Sequence, residues 1–136
     1  MFDKIFNWIS IVGGIVGGFL CKALGGWDVI LTALVSLVVL DYVTGILKAI
    51  YTKTLSSAVG FKGLIRKTLI FIVVATAVIV ESVVGNTVPL REIVIIFFMC
   101  NEGISLLENA SHFIPIPDKL KEVLIQLRDK NNKKEG

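Results

Sequence analysis

The chain has 136 residues, 54% of them apolar, with 14 Lys and Arg against 11 Asp and Glu and a formal net charge of +3. That length admits one domain, and the apolar residues gather into four long stretches that leave almost no sequence for a water-soluble core. The composition excludes an ordinary soluble enzyme and points to an integral membrane protein.

The stretches run from about Ile5 to Leu24, Trp27 to Tyr51, Thr68 to Val84 and Ile93 to Leu107, the last reaching Ala110 if its helix opens at Pro89. A helix needs roughly 17 to 25 residues to cross a hydrocarbon core of about 30 Å, and the first three stretches carry no polar face. The predicted fold class is therefore all-α: an integral membrane helical bundle of four transmembrane helices plus a C-terminal amphipathic helix. If the first stretch lies along the surface, three helices cross. The expected division is a transmembrane domain over residues 1–112 and a cytoplasmic amphipathic helix with a charged tail over residues 113–136. The first stretch lacks a clear small-x-small cleavage site and is read as retained. Cys21 and Cys100 both fall inside apolar stretches and read as small buried hydrophobes.

In the first stretch Ser10, Gly13, Gly14, Gly17 and Gly18 recur at i+3 and i+4, so one face is built of small residues. Helices in lipid associate by close backbone packing on such faces, which makes this one a candidate subunit interface. In the second stretch Asp41 stands inside the apolar run, with Lys48 two turns later. Lys62, Arg66 and Lys67 precede the third stretch, where apolar and basic residues alternate as in interfacial segments. Glu81 stands near the end of the third stretch.

An ionisable side chain at mid-membrane costs about 2.5 to 3.5 kcal/mol and requires a partner or water. Counting 1.5 Å per residue from Trp27 and Pro89 puts Asp41 and Glu102 at the same depth, roughly 20 Å down, where Arg66, Lys67 or Lys48 is expected to pair with them. The fourth stretch turns polar halfway: Asn101, Ser105, Glu108 and His112 form a stripe, with Glu102 and Asn109 beside it. Asn109-Ala110-Ser111 matches the glycosylation pattern but is read as chance. After Pro115-Ile116-Pro117, Leu120, Val123, Leu124 and Leu127 repeat at i, i+3, i+4 and i+7, an amphipathic helix opened by Pro117 and Asp118. The segment from Asp129 to Gly136 reads as a charged, frayed tail.

Lys and Arg near spans are retained on the cytoplasmic side. With the N-terminus inside, only Lys22 and Arg91 of the fourteen basic residues fall outside, so both termini are expected in the cytoplasm and the loop from Gly85 to Arg91 outside. A cytoplasmic basic cluster attracts anionic lipid by about 1 kcal/mol per residue. Nucleic acid is not expected as a partner. No nucleophile–base pair, phosphate loop or metal-ligand spacing is present in the sequence, so no enzyme, cofactor or metal is expected.

The segments Asp41-Tyr42-Val43-Thr44-Gly45, Gly60-Phe61-Lys62-Gly63-Leu64-Ile65-Arg66-Lys67 and Asn101-Glu102-Gly103-Ile104-Ser105-Leu106-Leu107-Glu108-Asn109, followed by Pro115-Ile116-Pro117-Asp118-Lys119-Leu120, resemble the phage lysis holin family that includes the clostridial toxin-secretion holins. The resemblance runs from about Asp41 to Leu127. It implies a small protein of the bacterial cytoplasmic membrane that accumulates, forms homo-oligomers and opens a lesion for endolysin or toxin, with an antiholin as a further partner. Phe113-Ile114 before Pro115, and Glu81 in place of a late Asp in the third span, depart from the family pattern. Two other readings fit the residues: a four-helix proton-coupled exporter with Asp41 or Glu102 as relay, and an antiholin or scaffold that assembles without opening a pore.

Overall fold

The computed structural model describes residues 1–85 and 87–135, the last two of these by backbone alone. Asn86 of the expected outer loop and Gly136 of the expected tail lie outside the described residues. Five helices follow one another: α1 (Phe2–Ala23), α2 (Val29–Tyr51), α3 (Ser57–Val84), α4 (Leu90–Ala110) and α5 (Asp118–Glu135). The protein is an all-α membrane bundle, in which α1, α2 and α3 are each long and apolar enough to cross a bilayer. Helices suit that setting because every backbone N–H and C=O is satisfied within the segment.

The ends of the helices follow from local chemistry. Asp28 caps α2 by accepting from the Leu31 N–H at 3.0 Å, and Ser56 caps α3 by accepting from the Val59 N–H at 3.2 Å. α1 stops where Gly25 and Gly26 take φ of +87° and +98°, which turns their N–H groups back onto the carbonyls of Lys22 and Cys21. α3 starts eleven residues before the apolar run at Thr68, because Lys62, Arg66 and Lys67 interrupt hydropathy without interrupting a helix that Ser56 has already capped.

α4 is the centre of the bundle and packs against α2, α3 and α5, whereas α2 and α3 touch each other little. Leu31, Leu34 and Val38 of α2, Ile70 and Val74 of α3 and Ile95 of α4 form its core. Arg91 on α4 meets Asp28 at the start of α2, and Asn109 meets Asp41 and Thr44 farther along, so α2 and α4 run parallel. α3 runs against both. α1 buries none of its residues, and the rest of the apolar surface is equally broad, as lipid-facing helices require.

α5 folds back antiparallel to α4. Its docking face is not the apolar repeat read from the sequence: Leu120, Val123 and Leu127 stay exposed, and of that repeat only Leu124 is seated, against Gly103. The contact is made instead through Lys121, Arg128 and Asn131, polar residues that a search for apolar periodicity passes over.

Candidate functional site

Asp41 on α2, Lys67 on α3 and Glu102 on α4 meet in the interior, with the Lys67 ammonium donating to Asp41 Oδ2 and to Glu102 Oε2. The two carboxylates are only 6% and 7% exposed. Seven residues beyond Glu102, two turns along the same helix face, Asn109 donates through Nδ2 to Asp41 Oδ1 at 3.0 Å and to Thr44 Oγ1 at 3.2 Å. Among the described residues every buried side-chain N and O has a hydrogen-bond partner. A network satisfied in this way holds its helices in one register, because removing any member leaves a desolvated group behind.

Tyr42, next to Asp41, fixes the approach of α3. Its hydroxyl donates to the Gly60 carbonyl at 3.3 Å, and its ring lies where a side chain at Gly63 would begin, 3.2 Å from an ideal Cβ. Gly63 therefore lets the ring lie closer than a side chain there would allow without a shift, whereas a Cβ at Gly60 would meet the Tyr42 hydroxyl at an ordinary 3.5 Å. At Gly45 an ideal Cβ would stand 3.6 Å from the Asn109 amide nitrogen, an ordinary van der Waals contact.

Of the cations expected beside the carboxylates, Lys67 reaches them. Lys48 and Arg66 have no carboxylate within 4 Å among the described residues, and Lys62 is exposed. Beside the cluster a cavity of about 760 Å³ opens between α2, α3 and α4, with Arg66, Ser105, Glu108 and Arg128 on its walls. The polar stripe of α4 is thus divided among several surroundings. Asn101 accepts from Arg128 Nη1 at 3.0 Å, Ser105 lines the cavity, Glu108 pairs with Lys121 at 2.9 Å, and His112 is exposed at the end of the helix. Glu81 is half-buried on α3, far along the helix from Lys67. Ser10, Gly13, Gly14, Gly17 and Gly18 stay on the unpartnered α1, and a Cβ on any of the four glycines would meet nothing within 4 Å.

A second polar junction was not evident from the sequence. Arg91 donates to the carbonyls of Leu24 and Gly26 at 2.6 and 2.9 Å and to Asp28 Oδ2 at 2.7 Å, closing the α1–α2 turn onto the start of α4. Asp28 lies outside the apolar helices, and its carboxyl is held below the usual range, first by the Arg91 hydrogen bond, against a smaller opposing effect of desolvation. In the sequence Arg91 stood out only as a charge on the outer side. Its role depends on the Gly25 turn, where a side chain would collide with the guanidinium.

Comparison with known proteins places the three convergent segments in one family. The model of the bacteriophage holin family matches residues 18–129. The chain is 40% identical to an "Uncharacterized 14.9 kDa protein in nagH 3'region" of Clostridium perfringens, over 97% of this chain and 99% of that one. It is 40% identical to a Listeria innocua protein over 88% of this chain and 81% of the relative. It is also 30% identical to a "Probable holin" of Bacillus phage phi105, covering 71% and 72% of the two chains. No solved structure matches. The matched region contains Asp41, Tyr42, Gly60, Gly63, Lys67, Glu102 and Asn109, the residues that join α2, α3 and α4, and the chain belongs to the bacteriophage holin family.

Proposed function

We propose that the protein acts as a holin that forms homo-oligomers in the bacterial cytoplasmic membrane and opens a lesion through which an endolysin or a toxin leaves the cell. The observation that carries this reading is the contrast between a firmly tied α2–α3–α4 unit and an α1 that buries nothing. A protomer built in this way keeps its own shape through the buried Asp41–Lys67–Glu102 cluster and offers a separate helix to other copies. One bundle has too little perimeter to enclose a protein-sized opening, so assembly is what the role demands. The Ser10, Gly14, Gly17 and Gly18 face of α1 supplies the packing surface. The charge asymmetry of the residues flanking α1 to α4 supports the N-terminus and the α2–α3 connection in the cytoplasm, with Lys62 and Arg66 near anionic headgroups of the inner leaflet. An antiholin that shares these helix faces would act as a partner.

The test is induction of the chain in cells that carry a folded cytoplasmic reporter enzyme. Abrupt release of the enzyme supports a protein-sized lesion. A specific observation favours one competing reading: two carboxylates share a single ammonium beside a cavity, an arrangement suited to a proton-coupled exporter. Loss of ions or small solutes with full retention of the enzyme would favour that reading. An antiholin or scaffold would assemble and release neither.

A further inference from the structure

The position of α5 conflicts with its charge unless water lies beside it. Lys121, Leu124, Arg128 and Asn131 share one helix face and seat α5 along α4. Lys121 pairs with Glu108 at 2.9 Å, Leu124 lies against Gly103, Arg128 donates to Asn101 at 3.0 Å, and Asn131 donates to the Ile93 carbonyl at 2.7 Å. The contact thus climbs α4 from Glu108 to Ile93, about 22 Å at 1.5 Å per residue. Two residues before Ile93, Arg91 is clamped to Leu24, Gly26 and Asp28 at the beginning of α2. The later turns of α5 therefore stand level with the first turns of a helix long and apolar enough to span a membrane.

At about 100° per residue, Lys119, Glu122, Gln126, Lys130 and Lys133 fall on the arc of α5 opposite its docking face, and all five are exposed. Hydrocarbon does not accept such a row, and these side chains are too deep along the bundle for all of them to reach one headgroup layer. Leu120, Val123 and Leu127 occupy only a narrow strip beside the arc.

We propose that α5, seated on α4 at membrane depth, is the water-facing wall of the lesion. The inference rests on the lesion-forming function above and assigns to it the surface that meets water. The α4–α5 pair then supplies what a lipid-exposed three-helix bundle lacks, a polar outer side held by specific side-chain bonds. Its outward arc carries Lys119, Lys130 and Lys133 against Glu122, so the wall is net basic.

The experiment uses the full chain carrying Cys21→Ser and Cys100→Ala, with spin labels at Trp27→Cys and Lys130→Cys. The protein is reconstituted into phosphatidylethanolamine–phosphatidylglycerol vesicles loaded with fluorescent dextran. In vesicles that release dextran, the two labels are expected well inside the bilayer thickness of about 30 Å. The Lys130→Cys label is expected to collide with a water-soluble nickel chelate in preference to oxygen, whereas a label at Ile72→Cys on the exposed side of α3 shows the reverse. Releasing vesicles in which the pair is a full bilayer apart would put α5 on the inner surface and overturn the proposal. A short separation with an oxygen-preferring Lys130→Cys label would overturn it as well. Absence of dextran release would remove the lesion itself, an outcome read from the dye alone and distinct from the other two.

Discussion

Asn109 on α4 donates to Asp41 on α2 at 3.0 Å, while the other oxygen of the same carboxylate takes the Lys67 ammonium of α3. One aspartate thus ties three helices together. Breaking a buried ion pair by removing one partner typically costs about 3 to 5 kcal/mol, because the remaining charge loses its compensation without regaining water. Lys67→Ala is expected to be the most damaging change, since it leaves Asp41 and Glu102 facing each other. Asp41→Asn keeps the shape and part of the bonding and should cost less. Thermal unfolding in detergent checks the order, and Asp41→Asn at least as destabilising as Lys67→Ala would contradict it.

Tyr42→Phe removes only the bond to the Gly60 carbonyl, and a net loss of about 0.5 to 1.5 kcal/mol is expected. Gly63→Leu forces a side chain into the ring and should separate α2 from α3. A crosslink engineered between these helices would form in the Phe variant and fail in the Leu variant. Equal crosslinking in both would show that the ring does not set the helix spacing.

The Asp28–Arg91 junction predicts a dependence on acid. The Asp28 carboxyl titrates lower in the folded protein than its usual value near 4, so its contribution to stability is complete above that value and is lost as pH falls through the folded value. Melting temperature measured from pH 6 down to about pH 3 should fall for the wild-type chain, with a shallower fall in Asp28→Asn. Superimposable profiles would show that other carboxylates account for the acid response.

Much of this organisation could be read from the residues, for identifiable reasons. Hydropathy located the apolar helices because lipid selects them by length. Depth counting from Trp27 and Pro89 put Asp41 and Glu102 at one level, and the structure joins them through Lys67. Asn109 was less visible, since an amide beside a stripe carries no charge to balance. Its partner is chosen by the parallel packing of α2 on α4. The Arg91 junction required knowledge of the Gly25 turn, and the docking of α5 required a polar face on a helix whose apolar repeat points elsewhere.

The small-residue face of α1 gives the cleanest separation of assembly from folding. Within one protomer a Cβ at Gly14 or Gly18 meets nothing, so Gly14→Leu with Gly18→Leu is expected to leave the α2–α3–α4 unit and its melting temperature unchanged. In membranes the same pair of changes should reduce homo-oligomer crosslinking several-fold by holding neighbouring backbones apart. Leucine-to-isoleucine changes elsewhere on α1 should be mild.

Whether assembled copies open a protein-sized lesion is read from the time course of release of a folded cytoplasmic enzyme after induction. Abrupt release is expected from the wild-type chain, together with delayed or absent release from the stably folded Gly14→Leu, Gly18→Leu variant. Retention of the enzyme by the wild-type chain while ions escape would contradict a protein-sized lesion.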